Sequence, residues 1–329
     1  QLNLQTNGEL KTSGDGQYIG DIALAGGKFS ATDNQVLGGT LSITADSELT
    51  VSQGYTLTLS QTGGLALGAN TLTLSGGGSL VSGGLTLDNA SSKLLLNSIT
   101  VDNVSTSANS LGLDVDNNST ITALSVGHIT PVSIASGKSL SGAITVTAGS
   151  LKLNETGTVA STIAMSGGTL DADESSTVSG ALTQSGDIVI DVADNKTLTY
   201  SGTAISLGAN TLTLIGGGTL SNTNALVLND ADSLLSLAGI LVIGDVDGTT
   251  ASNPNKGIQV TYSATLGDYD LSAVSYLSIA ANKTLAGQLN LQTNGELKTS
   301  GDGQYIGDIA LAGGKFSATD NQVLGGTLS

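Results

Sequence analysis

The apolar residues of this chain come in short, evenly spaced bursts. Ile43, Leu49/Val51, Leu57/Leu59, Leu65/Leu67, Leu72/Leu74, Leu80, Leu85/Leu87 and Leu94/Leu96 follow one another at steps of about seven or eight residues. Inside a burst the apolar positions alternate with Thr or Ser, as in Thr56-Leu57-Thr58-Leu59. That alternation predicts a short strand with one buried face. Between bursts stand Gly38-Gly39, Gly63-Gly64, Gly76-Gly77-Gly78, Asp88-Asn89 and Gly167-Gly168. These residue types accept the backbone of a sharp corner.

No segment carries the pattern of a crossover helix, which excludes βαβ units. An antiparallel sandwich gives no reason for so even a beat. The predicted fold is therefore all-β, a three-sided parallel β-helix (β-solenoid), right-handed by the chirality of parallel crossovers. Three sides of seven to eight residues predict about 22–24 residues per rung, one rung advancing about 4.8 Å.

A long repeat lies above the beat. Residues 1–42 recur without change at 288–329, an offset of 287. Each period divides into two diverged halves. Leu10-Lys11 matches Leu151-Lys152, and LGANTLTLSGGG from Leu67 matches LGANTLTLIGGG from Leu207. Farther on the offset grows to 145, as Lys138 matches Lys283, so a four-residue insertion falls near 243–255 and reads as a protruding loop. The expected organisation is 1–142 as the first half-repeat, 143–287 as the second, and 288–329 as the start of the next identical copy. About 12 rungs per period are expected, advancing roughly 57 Å. The chain reads as an interior slice of something longer, with its targeting signals elsewhere.

Composition narrows the function. Of 329 residues 46 are Gly, aromatics are 3% and charged residues 11%, which suits a thin core of small aliphatics with many corners. All ten basic residues are Lys, and the net charge is −17. Nucleic-acid binding needs cations against phosphate and is not expected. Insertion into a membrane is not expected either, since no apolar run nears about 18 residues. Residues 1–287 alone hold 8 Lys and 23 acids, a net of −15, which should keep neighbouring fibres apart unless ions screen them. Cys is absent, which excludes disulfides and thiolate metal sites.

The units at Gly39-Thr40-Leu41 and Gly168-Thr169-Leu170, repeated along the chain, resemble the shafts of bacterial autotransporter passenger domains and filamentous haemagglutinin-type adhesins. The resemblance implies secretion, an extracellular or cell-surface location, and a mechanical role. No catalytic motif carries over from it.

Candidate chemistry is sparse. Asp171 and Asp173 share one face by alternation, yet Arg and Trp are absent and His128 is the single histidine. No catalytic residue is therefore expected, and a polysaccharide-acting enzyme ranks below the alternatives. Asp114 with Asp116, and Asp245 with Asp247, offer hard oxygen ligands for calcium. Neither pair fits an EF-hand loop or the calcium nonapeptide repeat, and no cofactor is expected. Thr-x-Thr pairs stand at 56/58 and 71/73, a step shorter than one rung, so no ice-matching ladder is expected. Asn-x-Ser/Thr sites such as Asn89, Asn103, Asn118, Asn154, Asn195 and Asn282 are about as many as chance yields in so Ser- and Thr-rich a chain.

The leading expectation is a non-catalytic structural segment of an extracellular filament or giant adhesin shaft. Its partners are then further tandem copies stacked end to end, and neighbouring fibres side by side. The alternative is a module that binds a surface glycan or matrix through loops such as 243–255.

Overall fold

A computed structural model describes residues 1–318, 320 and 323–329; Thr319, Asn321 and Gln322, within the repeated segment, lie outside that description. It contains strands and turns and, among the described residues, no helix. The strands stack in parallel as a β-solenoid of about 16 turns in three sheets. Two compact units divide it, Gln1–Ile163 and Ala164–Ser329.

Alternation places the core as predicted. Every apolar residue named in the opening beat, from Ile43 to Leu96, is buried, while the Thr and Ser between them face outward. Strands pair with the equivalent strand of the next turn, as Leu72 with Leu94 and Leu74 with Leu96, then Leu94 with Leu113 and Leu96 with Val115. Unit two does the same, as Leu212 pairs with Leu235 and Leu235 with Ile258.

The turns are shorter, on average, than seven-to-eight-residue sides require. One sheet takes one strand from every turn. Its register steps are uneven, short at Leu10↔Phe29 and long at Leu49↔Leu74. Counting its strands from Leu10 to Leu297, one full period, gives 14 steps in place of the expected 12. The reason is a corner that disappears. In one turn Ser79–Val81 and Leu85–Leu87 are separate strands, and buried Leu80 and Leu85 are joined through four residues. In the next turn both pair with the single bent strand Thr100–Thr106, whose buried Val101 and Val104 are joined through only two.

True register also builds a column that the longer rung hid. Thr56, Ser79, Thr100, Thr120 and Ser141 stack one above another on the outer surface, so one hydroxyl ladder does form. Its neighbour does not, because Thr58 pairs with Val81. A two-column Thr array is therefore absent here.

The corners are tied by side chains reaching from turn to turn. Asp21 accepts both the backbone N–H of Thr40 (2.8 Å) and its hydroxyl (2.6 Å). These bonds hold its carboxyl below the usual carboxylate range. Asp46 accepts the N–H of Thr71 at 2.7 Å, and its half-repeat counterpart Asp187 accepts that of Thr211 at 2.7 Å. Asp88 caps Gly68 at 2.8 Å and Asn229 caps Gly208 at 2.9 Å. Each bond satisfies a donor that has left the strand ladder at a bend. Much of the acid excess is thus corner hardware.

The segment 243–255 is not one loop. Val246–Gly248 is a strand paired with Leu226–Leu228, and Val246 is buried. Beyond the corner at Gly244-Asp245, irregular chain is confined to 249–256.

Candidate functional site

The four candidate calcium ligands do not converge. Asp114 points outward from Gly112–Asn117 and pairs with Lys93, Nζ to Oδ2 2.5 Å. Asp116, on the same strand, is exposed. Asp245 and Asp247 belong to the other unit. Among the described residues, no group of three or more His, Cys, Asp and Glu side chains could hold a metal ion.

Asp247 has a neighbour that the sequence did not reveal. It stacks in register on Asp270 of the next turn, and Asp270 accepts the amide of Asn290 at 2.6 Å. Asp247 and Asp270 line a 300 Å³ open trough with Thr249, Ser272 and Gln292. Partial burial, then the charges of Asp270 and Asp245, push the Asp247 carboxyl above its usual range.

Asp171 faces outward and stacks on Asp191, but the strand ends at buried Ala172 and Asp173 lies in the bend beyond it, so alternation does not carry the two acids on one strand face. His128 sits exposed in the bend before Ile129–Ile134; its backbone carbonyl accepts the hydroxyl of Thr130. Nothing in these arrangements pairs an acid with a base across a cleft.

No family model, curated protein or solved structure matches this chain.

A depression of about 480 Å³ lies in unit one over the corners and strand starts of successive turns, including one column of outward residues. Glu9, Lys28, Glu48 and Thr73 stack one per turn there. The Lys28 ammonium binds Glu48 at 2.8 Å, and Glu9 accepts the Ser30 hydroxyl at 2.6 Å. For Glu48, burial raises the carboxyl, but bonds from Lys28, Thr50 and Ser75 outweigh it and the net shift is downward. In the repeated copy the same lysine, Lys315, binds the acid one turn earlier, Glu296, at 2.9 Å. The column's lysine thus binds the acid of the next turn in one copy and of the preceding turn in the other, and each ion pair ties two adjacent turns.

Buried tyrosines are the structural residues that alternation alone did not flag. Tyr200 accepts the N–H of Leu182 (3.0 Å) and donates to the carbonyl of Thr203 (2.6 Å). Tyr269 lies 2.7 Å from the Ser275 hydroxyl, and Tyr305 donates to Gly287 O at 2.8 Å. Burial pushes the phenols of Tyr269 and Tyr305 well up, keeping both protonated. The available clue was that these few rings occupy alternating core positions, where a phenol needs a partner.

Proposed function

We propose that this chain is a non-catalytic structural segment of an extracellular filament or of the shaft of a surface adhesin, lengthened by tandem copies. One observation carries the reading: the segment 1–42 and the described residues of its repeat 288–329 fold with the same register. Leu2 pairs with Ile22 and Leu4 with Leu24 in the first copy; Leu289 pairs with Ile309 and Leu291 with Leu311 in the second. Leu10 pairs with Phe29 as Leu297 pairs with Phe316, and Tyr18 with Leu37 as Tyr305 with Leu324.

What differs between the copies is burial. Leu37 is 1% exposed and Leu324 42%; Leu24 is fully covered and Leu311 is 38% exposed. At the other edge the order reverses, for Leu297 is fully covered where Leu10 is half-buried. Each turn's core is completed by the turns on either side, the nearest-neighbour coupling of repeat proteins. A duplicated period can then add turns without changing register, and added sequence becomes added length. Autotransporter passengers and filamentous haemagglutinin-type adhesins are the class this reading points to.

Electron microscopy of chains carrying one, two and three periods tests it. Fourteen turns at ~4.8 Å predict particles that lengthen by about 67 Å per added period. Round particles whose diameter grows with copy number would sink the reading.

A further inference from the structure

Lysine and tyrosine gather on one outer facet of unit two. Tyr276 stacks in register beneath Lys298, with the ammonium 5.5 Å from the ring centroid. Lys283 stands 4.8 Å from the centroid of Tyr262, which is 61% exposed. Between the two pairs runs a polar column, Ser236, Gln259, Ser278 and Ser300, one residue per turn. Lys256 opens the facet, where Asn255, Lys256, Gln259, Tyr276, Ser278 and Ser300 line a depression of about 60 Å³.

Ion pairing separates these lysines from the rest of unit two. Unit two has five lysines. Lys196 is paired with Glu174 and Lys315 with Glu296. The other three are Lys256, Lys283 and Lys298, half-buried and, among the described residues, without a carboxylate at ion-pair distance. The nearest acid on the strand, Glu296, is committed to Lys315. The three ammonium groups of the unit that stand outside ion pairs, among the described residues, therefore lie around this facet, on a chain of net charge −17. Glu296 shares the outer face of Lys298 and feels its charge, but its carboxylate is bound by Lys315; fields are screened within about 8 Å at physiological salt, so acids beyond the facet weigh less on a ligand bound there.

We propose that this facet binds a linear acidic polysaccharide, one bearing carboxylates on its sugar rings. The ammonium groups take the carboxylates, the tyrosine faces take the apolar faces of the rings, and Gln259, Ser278 and Ser300 bond the hydroxyls. Tyr276 and Tyr262 sit about five strand positions apart across the facet, roughly 16 Å. A ligand reaching both must be a chain of several sugars. This inference does not rest on the shaft reading: a shaft needs no such facet, and loss of binding leaves fibre length untouched.

The test is affinity electrophoresis of the whole 329-residue chain in gels containing polygalacturonate or, as the uncharged counterpart, dextran. The chain should be retarded by polygalacturonate and not by dextran. Combined Lys256→Gln, Lys283→Gln and Lys298→Gln should weaken retention by at least about tenfold. Lys11→Gln with Lys138→Gln removes two lysines of unit one that also lack a carboxylate partner among the described residues, and should leave it unchanged. Tyr262→Ser, at a ring exposed enough to spare the fold, should also weaken it, with far-UV circular dichroism unaltered. Three results would each overturn the proposal: no retardation, equal loss in the unit-one control, or binding confined to phosphatidylserine vesicles.

Discussion

Leu37 and Leu324 occupy the same place in the same repeated segment, and replacing each with Ala separates what sequence does from what neighbours do. Leu37 is 1% exposed and Leu324 is 42% exposed. Truncating a buried leucine removes its transfer free energy and leaves a cavity, at a cost of about 2–5 kcal/mol. With its partner Leu59 on the next turn also buried, the surroundings of Leu37 have little room to collapse, so about 3 kcal/mol is expected for Leu37→Ala. In the 329-residue chain Leu324 lacks much of that contact, so Leu324→Ala made in that chain should cost less than about 1 kcal/mol. The complementary pair reverses. Leu297→Ala should cost about 3 kcal/mol because Leu297 is fully covered, and Leu10→Ala clearly less.

A stacked repeat need not unfold in one step, so a global midpoint would blur these differences. Native-state hydrogen exchange reads them locally. In Leu37→Ala the amides of Gln35–Leu37 and of their partner strand Thr56–Leu59 should exchange about 100-fold faster, the equivalent of about 3 kcal/mol. Amides around Leu324 should change less than about fivefold in Leu324→Ala. Equal losses at Leu37 and Leu324 would refute the reasoning, because stability would then follow local sequence and not the adjoining turns.

Four further outcomes are expected. Tyr200→Phe leaves the Leu182 N–H without its 3.0 Å acceptor and should lower stability by about 1–3 kcal/mol in urea unfolding. Gly142 holds φ +121° and an added Cβ would collide with the carbonyl of Ile121, so Gly142→Ala should cost more than about 2 kcal/mol; Gly137→Ala, at φ +71° with open space around it, should cost about 1 kcal/mol. Asp247 titrates above its ordinary 3.8 through burial and its acidic neighbours. Its contribution is therefore full below that value and lost as pH rises through the raised one, so Asp247→Asn should raise the thermal midpoint at pH 7 and not below pH 3.8. Glu48 has the opposite sign. Its carboxyl is held below 4.5, so its contribution is present above 4.5 and lost as pH falls through the lowered value; Glu48→Gln should cost under about 1 kcal/mol at neutral pH, shrinking in acid.

Turn length decides how much of this protein can be read from its residues. The strands were legible because alternation is local: Thr56-Leu57-Thr58-Leu59 states its own buried face. The rung count was not, because a corner can be crossed in two residues, as between Val101 and Val104, or in four, as between Leu80 and Leu85, and both spacings keep the apolar beat. Everything that depends on stacking inherits that ambiguity. The role of Asp46 has no local signal because its partner, Thr71, lies a whole turn farther along the chain. The hydroxyl column from Thr56 through Ser79, Thr100 and Thr120 to Ser141 was missed because its steps are unequal, and no single period brings it out. The Lys–Tyr facet was hidden in the same way: Tyr276 and Lys298, like Tyr262 and Lys283, meet only because each pair is separated by one turn of this solenoid. In a coil whose turns differ in length, the chemistry lies in pairs about one turn apart, and the register that joins them is set by corners the apolar pattern does not record.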